Sequence, residues 1–264
     1  MATLVLFHAH PDDEAIATGG TAARATAEGH RVVLVVATGG EYGQVPDDLA
    51  DGETLADRRR VETERSAAAL GIARVAWLGY CDSGMTGWEQ NSANGAFTSA
   101  PLEEAAERLA AILRDERAEA MTTYDWHGVY GHPDHVKVHQ VGRRAAELAG
   151  DVRVYQSTFN RTAMKEFMAL AAGTGAMPDD GGFDPDGPAD DGNPFGMPES
   201  DITTMVDVTA YVDRKRASIS CHRSQVSDSD MFLSMPPEAF ERAFGTEWFI
   251  HEGAAAGSET WLFG

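Results

Sequence analysis

The chain has 264 residues, 43% of them hydrophobic, and its formal net charge is −21. This length can bury one large core, and no apolar run approaches the roughly 20 residues that a membrane-spanning helix needs. The acidic excess argues against nucleic acid and membranes as partners, because both nucleic acid and anionic membrane surfaces are bound by basic patches.

The first 157 residues alternate between patterns typical of strands and of helices. Apolar, β-branched runs predict five strands, at residues 3–7, 31–38, 73–78, 118–125 and 151–157. Helix patterns with glycine or proline at their boundaries predict four helices, at residues 14–29, 53–70, 101–116 and 133–149. This alternation indicates an α/β fold, so we expect a Rossmann-like, mostly parallel sheet with helices on both faces.

A segment dense in glycine, proline and aspartate, residues 173–200, interrupts the alternation and is predicted to be a long loop. Beyond it, the patterns predict a sixth strand and two further helices, at 203–208, 210–222 and about 237–244. No second hydrophobic pattern is large enough for another domain. We therefore expect a single domain over 1–264, with a core over about 1–160 and a C-terminal extension of strand and helices over 203–250.

Two clusters of ionisable residues follow predicted strands. The first, HAHPDDE, comes directly after strand one and contains His10, Asp12 and Asp13. The second, YDWHGVYGHPDHVKVH, follows strand four, and its His132 and His135 lie on one side of a helical turn. Ligands of open α/β sheets bind beyond the carboxyl ends of the strands. If strands one and four are neighbours, the two clusters face each other there.

Two imidazoles and a carboxylate suit a catalytic zinc ion, which takes three protein ligands and keeps one position for water. His10, Asp13 and His135 are the candidate ligands of one Zn²⁺ per chain, and the same N/O set also suits Fe²⁺. Asp12 is then free to act as a general base towards a metal-activated water. His132 could protonate a leaving nitrogen or bind the metal itself, and the spacing leaves both roles open.

HPDDE near the N-terminus and GHPDH about 120 residues later resemble the LmbE-like, or PIG-L, family of de-N-acetylases. Further similar stretches, among them TGGE, WLGYCDSGM, MTTYD and CHRSQ, extend the resemblance over nearly the whole chain. The resemblance implies a Rossmann-like zinc hydrolase that removes acetyl groups from N-acetylglucosaminyl compounds. The implied partner is a small N-acylated amino sugar or a pseudo-disaccharide.

The resemblance also implies roles for individual residues. It gives the zinc ligands as His10, Asp13 and His135. It gives Asp12 as the base, His132 as an electrostatic or acid partner, and Tyr130 as the group that steadies the carbonyl oxygen. The expected sugar contacts are Arg59 and Asp82, and we expect His222 and Gln225 of CHRSQ to close the site from the C-terminal part of the chain.

Three other functions remain open from the sequence. The runner-up is an amidase of a glucosamine-containing thiol conjugate, whose larger cleft the 173–200 loop would roof. The others are a non-catalytic metal- or sugar-binding module and a phosphoesterase that uses two metals. The N-terminal apolar run is too short for a signal peptide, so we expect a cytoplasmic protein. A homo-oligomer is compatible with the sequence.

Overall fold

In the computed structural model of the protein, residues 1–173, 183–227 and 231–263 are described. Seven strands lie within these ranges, namely β1 (Thr3–His8), β2 (Arg31–Thr38), β3 (Arg74–Tyr80), β4 (Ala120–Tyr124), β5 (Arg153–Thr158), β6 (Thr204–Asp207) and β7 (Thr246–His251). The α-helices of the same ranges are α1 (Asp13–Ala17), α2 (Gly19–Ala27), α3 (Leu55–Leu70), α4 (Leu102–Glu116), α5 (Gly128–Gly131), α6 (Pro133–Ala149), α7 (Arg161–Gly173), α8 (Val212–Ile219), α9 (Met231–Ser234) and α10 (Pro237–Phe244).

All seven strands form one sheet in the order β3-β2-β1-β4-β5-β7-β6. The first five run parallel, whereas β7 is antiparallel to both β5 and β6. β1 and β4 are direct neighbours, with Leu4 opposite Ala120 and Leu6 opposite Thr122. The sheet therefore changes its direction of growth between these two strands, and the loops that follow them open at one edge.

Alternate residues of the central strands bury opposite faces of the sheet. Phe7 and Val35 pack on one side, against apolar side chains of α4 and α6 such as Leu109 and Val138. Leu6 and Leu34 pack on the other side, against α2 and α3. Because helices cover both faces, the strands read as continuous apolar runs rather than as alternating ones. The predicted mostly parallel α/β fold is confirmed.

The single helix predicted over 14–29 is divided in the structure. α1 ends at Ala17 and α2 starts at Gly19, with Thr18 between them. The carboxylate of Glu247, on β7, accepts hydrogen bonds from the backbone N–H groups of Gly20 and Thr21 at 2.8 and 2.7 Å. A new helix therefore begins here, because its unpaired N–H groups have an anionic partner.

The C-terminal half contains three elements that the sequence analysis did not place, α7, α9 and β7. In the predicted loop over 173–200, Gly173 ends α7, and residues 174–182 lie outside the described residues. The described part, 183–200, packs on α5: the N–H of Asp190 donates to the carbonyl of Tyr130 at 2.9 Å, and that of Gly196 to Val129 at 2.7 Å. Among the described helices, none has the length and apolarity needed to cross a bilayer.

Candidate functional site

The two ionisable clusters meet at the carboxyl edge of the sheet, as predicted. β1 ends at His8 and β4 at Tyr124, and the two strands pair directly. The loop after β1 leads into α1, and the loop after β4 leads through α5 into α6. The rings of His10 and His135 consequently lie with their centroids 5.4 Å apart, although the residues are distant in sequence.

The three residues predicted to hold a metal surround one point. A single carboxylate oxygen of Asp13, Oδ2, lies 3.5 Å from Nδ1 of His10 and 3.4 Å from Nε2 of His135. Two imidazole nitrogens thus face the same carboxylate oxygen. A divalent cation placed between these three atoms would be coordinated by all of them, and this coordination would replace their direct contacts with one another.

The hydrogen bonding of the two histidines fits a bound cation. His135 is buried, and neither of its ring nitrogens has a hydrogen-bond partner among the described residues. A buried polar atom without a partner is costly, and coordination would satisfy it. The other nitrogen of His10, Nε2, lies 3.1 Å from Asp134 and 3.5 Å from Asp82. Those carboxylates fix the ring and leave Nδ1 directed at Asp13, as outer carboxylates do for metal-bound histidines.

Other donor combinations also lie close together. His10, His132 and His135 each offer a nitrogen within 4.8 Å of the others, and so do His10, Asp82 and Asp134 with their nitrogen and oxygen atoms. Distances alone therefore do not separate Asp13 from His132 as the third ligand. Nδ1 of His132 is already occupied, because it accepts the backbone N–H of Asp134 at 3.1 Å.

Asp12 has an unusual backbone conformation and an unusual acidity. Its φ is 85°, in the left-handed region that aspartate and asparagine tolerate better than most residues. Its backbone N–H donates to Glu14 at 3.1 Å, and its carboxylate accepts from Arg59 at 3.2 Å. Burial raises the pKa of Asp12 to about 6, with Arg59 lowering it and Asp13 raising it further. A carboxyl group with such a pKa can exchange protons near neutral pH.

Arg59 fastens the loops that follow β1 and β2. Its guanidinium is buried and donates to the carbonyl of Gly40 at 2.8 Å and to that of Pro11 at 2.5 Å, besides its contact with Asp12. Its position on α3 is set by the capping box that starts this helix at Thr54. The predicted substrate-contact residue is therefore at the site, and it also holds Asp12 in place.

His132 and Tyr130 are neutral in this environment. Burial lowers the pKa of His132 to about 2, and the neighbouring His10 and His135 lower it as well. Since Nδ1 accepts a hydrogen bond, the neutral ring carries its proton on Nε2. Burial, together with the carboxylates of Asp13 and Asp12, holds the pKa of Tyr130 well above its ordinary range, so its hydroxyl can donate a hydrogen bond.

A cavity of about 220 Å³ opens above these residues. Seven of the nine predicted site residues line it, namely His10, Asp12, Asp13, Arg59, Asp82, Tyr130 and His132. His135 lies at the back, in contact with Asp13. His222 does not line the cavity: it is fully buried, with Nε2 2.7 Å from the Glu14 carboxylate. Its expected substrate contact is therefore corrected, because the ring is enclosed behind the pocket and bonded to Glu14.

Several residues of the cavity wall were missed by the sequence analysis. They come from the loops after β2 and β3, and include Tyr42, Met85 and Trp88. The signal was available, since every loop that follows a parallel strand opens at this edge. Gln225 of the CHRSQ stretch, which was expected to close the site together with His222, does line the cavity. His8, by contrast, is a satisfied wall residue, with its nitrogens 2.9 Å from the hydroxyl of Tyr124 and 2.8 Å from that of Thr18.

The fold and the site define an α/β protein with a histidine–aspartate cluster, able to bind a metal, in a pocket at the switch point of its sheet. The family described as PIG-L, GlcNAc-PI de-N-acetylase, matches residues 5–146. A 1D-myo-inositol 2-acetamido-2-deoxy-alpha-D-glucopyranoside deacetylase 1 from Catenulispora acidiphila is 39% identical, over 98% of this chain and 86% of its own length. The protein of that activity from Streptomyces avermitilis is 38% identical, over 98% and 96%. The chain belongs to the PIG-L de-N-acetylase family, and it is an enzyme that hydrolyses an amide bond.

Solved structures agree on the fold. The N,N'-diacetylchitobiose deacetylase of Pyrococcus horikoshii matches with a TM-score of 0.59 and 23% identity, over 94% of this chain and 82% of its own. A 4-carboxy-2-hydroxymuconate hydratase from Pseudomonas putida matches with a TM-score of 0.60 and 17% identity, over 96% of both chains. The second enzyme has a different activity, so the function of this chain has to be argued from its own site.

Proposed function

We propose that the protein is a zinc-dependent deacetylase of an N-acetylglucosaminyl pseudo-disaccharide, with 1D-myo-inositol 2-acetamido-2-deoxy-α-D-glucopyranoside as the first substrate to test. The observation that carries the proposal is the position of Asp13 Oδ2 between nitrogens of His10 and His135 at the cavity. The substrate is proposed from the names of relatives that are 38–39% identical along nearly the whole chain.

His10, Asp13 and His135 are the proposed ligands of one Zn²⁺, and Fe²⁺ fits the same donors. When bound, such a cation polarises an amide carbonyl and makes water more acidic. Asp82 and Asp134 contact Nε2 of His10, while its Nδ1 faces the Asp13 carboxylate. These contacts support a preformed arrangement of the proposed ligands.

In the proposed reaction, Asp12 accepts a proton from water as the water oxygen forms a bond to the acetyl carbon. The hydroxyl of Tyr130 donates a hydrogen bond to the oxygen on which negative charge develops. As the carbon–nitrogen bond breaks, the proton held by Asp12 moves to the nitrogen, which leaves as the free amine, and the products are the amine and acetate. A carboxyl group with a pKa near 6 suits both transfers.

For His132 we favour the electrostatic role over that of a proton donor. Its low pKa and its accepted hydrogen bond at Nδ1 support a neutral ring that donates from Nε2. Arg59 and Asp82 remain proposed sugar contacts, since both line the cavity. Both side chains also hydrogen-bond to backbone groups of the pocket loops, so each also holds the shape of the pocket.

The proposal is tested by metal analysis of the purified protein and by acetate release from the proposed substrate. We expect about one zinc per chain and stoichiometric acetate and amine. Asp12→Asn should retain the metal and lose on the order of 10²–10⁴-fold in turnover, the range for loss of a positioned base. The absence of both zinc and acetate, across several N-acetylated sugars, would refute the proposal.

The same measurements separate the other functions. An amidase of a thiol conjugate would release a larger acid instead of acetate. The wider cleft of such an amidase was expected to be roofed by the 173–200 loop, but residues 183–200 do not line the cavity. A binding module would hold zinc and ligand without releasing amine, and a two-metal phosphoesterase would contain about two metals. The cytoplasmic location and a homo-oligomer stay predictions, to be checked by fractionation and by light scattering.

A further inference from the structure

The cavity is small for a two-ring substrate. Its volume of about 220 Å³ is below the roughly 300–1,000 Å³ typical of ligand pockets. The residues that form its floor, such as His10 and His132, are 7% and 6% exposed. A ring attached to the reacting sugar therefore has to lie outside this floor, at the rim.

Two aromatic side chains form part of that rim. Tyr42 is 45% exposed and Trp88 is 47% exposed, and both line the cavity. Aromatic side chains are enriched at the centres of binding surfaces, because they offer large, rigid faces with both apolar and polar parts. The C–H face of a sugar or cyclitol ring is an apolar surface of matching shape.

The two aromatic loops are fixed to one carboxylate. Asp82 accepts the backbone N–H of Tyr42 at 3.2 Å and that of Gly84 at 2.8 Å. The same carboxylate lies 3.5 Å from Nε2 of His10. The positions of both rings are thereby set relative to the histidine that we propose as a metal ligand.

The position of Trp88 depends on its packing against Gly84 and on the hydrogen bonds of Asn91. The indole packs directly on Gly84, whose φ is 68° and where an added Cβ would come within 2.5 Å of the ring. The side-chain amide of Asn91 donates to the carbonyls of Ser83 and Met85 at 2.7 and 3.1 Å. The turn that carries Trp88 is therefore held by internal hydrogen bonds, and its ring needs little ordering on binding.

We propose that Trp88, with Tyr42 beside it, forms a second subsite that stacks on the ring attached to the reacting amino sugar. This inference rests on the proposed function for the identity of the first ring. It assigns the preference for a two-ring substrate to the rim aromatics rather than to the polar floor. The ligand class is a neutral glycoside or cyclitol ring joined to an N-acetylglucosamine.

The test compares binding of a two-ring and a one-ring ligand. Calorimetry is performed on Asp12→Asn protein, so that hydrolysis of 1D-myo-inositol 2-acetamido-2-deoxy-α-D-glucopyranoside and of methyl N-acetylglucosaminide is slow during the titration. We expect Trp88→Ala, added to this background, to weaken the two-ring ligand on the order of tenfold more than the one-ring ligand, the loss typical of a truncated aromatic anchor. Trp88→Phe should restore most of the difference.

Trp126→Ala is the matched control, because Trp126 is 53% exposed and does not line the cavity. It should leave the ratio of the two affinities unchanged. If Trp88→Ala weakens both ligands equally, or alters neither, the second subsite is refuted. Acetate release by protein with the native Asp12 tests the proposed function separately, so a failure of one is distinguishable from a failure of the other.

Discussion

The backbone N–H of Asp12 donates to the carboxylate of Glu14, two residues further along the chain, at 3.1 Å. The opposite side of that carboxylate is bonded to Nε2 of His222 at 2.7 Å and to the hydroxyl of Ser66. Burial alone would raise the pKa of Glu14, but His222 holds it below its ordinary range, so the pair is ionic. A histidine from the C-terminal part thus supports the left-handed backbone of Asp12 through Glu14.

Glu14→Gln should lower kcat roughly 10–100-fold with little change in KM, the effect usual for a residue that orients a reacting group. Glutamine keeps one acceptor oxygen, which cannot serve both His222 and the Asp12 N–H. The rates are measured per folded molecule, with folding checked by circular dichroism. Glu247→Gln is the control, a buried carboxylate paired with Lys215 at 2.7 Å and absent from the cavity wall. Equal losses of kcat in the two variants would contradict the positioning role.

Asp134→Asn should weaken metal binding about 10–100-fold. Asp134 accepts from the Ser83 N–H and hydroxyl and also contacts Nε2 of His10, whereas asparagine has one acceptor oxygen for these three partners. Competition with a chelator gives the affinity directly. Asp125→Asn is the control. Asp125 is a buried carboxylate directly after β4, and it accepts a hydrogen bond from the Thr158 hydroxyl rather than contacting His10. Unchanged zinc affinity in Asp134→Asn would show that His10 needs no such support.

Metal-free Asp12→Asn should be more stable than the unaltered protein, and the gain should grow with pH. Burial raises the pKa of Asp12 from its ordinary 3.8 to about 6. Between these values the unfolded chain loses the proton first, so rising pH favours unfolding, and asparagine removes this penalty. Thermal denaturation of chelator-treated samples should give a Tm gain of several degrees at about pH 7.5 and less at about pH 5. A gain independent of pH would contradict the raised pKa.

Gly142→Ala should destabilise the fold by about 1–3 kcal/mol, as overpacking does, despite the better helix propensity of alanine. Gly142 is on α6 and faces β4, where an added Cβ would overlap Cγ2 of Thr123. Urea denaturation measures the loss. Gly19→Ala is the comparison, since an added Cβ there would lie 3.3 Å from its nearest neighbour, Cγ of Lys215, a tight contact rather than an overlap. Comparable stability of the two variants would mean that α6 can shift on the sheet.

Much of this architecture could be predicted because continuous β-branched runs such as Arg31–Thr38 occur where a strand is buried on both faces. β7 could not be predicted in this way, because one of its inward positions is Glu247, which breaks the apolar alternation. That carboxylate is tolerated only because Lys215 and the start of α2 surround it. α7 was missed because no element was placed between the fifth strand and the 173–200 loop, although the residues of α7 are mostly helix formers.

The convergence at the site was predictable for a similar reason, since both ionisable clusters follow strands that pair directly. Whether an individual side chain reaches the cavity or is buried behind it was not predictable. His222 and Gln225 are three residues apart, yet one is enclosed behind Glu14 and the other lines the cavity. Likewise, Trp88 carries no ionisable group, and its position at the rim follows from its packing on Gly84 rather than from a sequence pattern.

The placement of β7 affects when the sheet can be completed during synthesis of the chain. β6 pairs only with β7 within the described sheet, and β7 inserts between β5 and β6 although it is synthesised after both. Until that strand leaves the ribosome, the β5 edge is open and Lys215 lacks its partner Glu247. Nascent protein is therefore exposed to edge-to-edge association and depends on completing translation before its sheet can close.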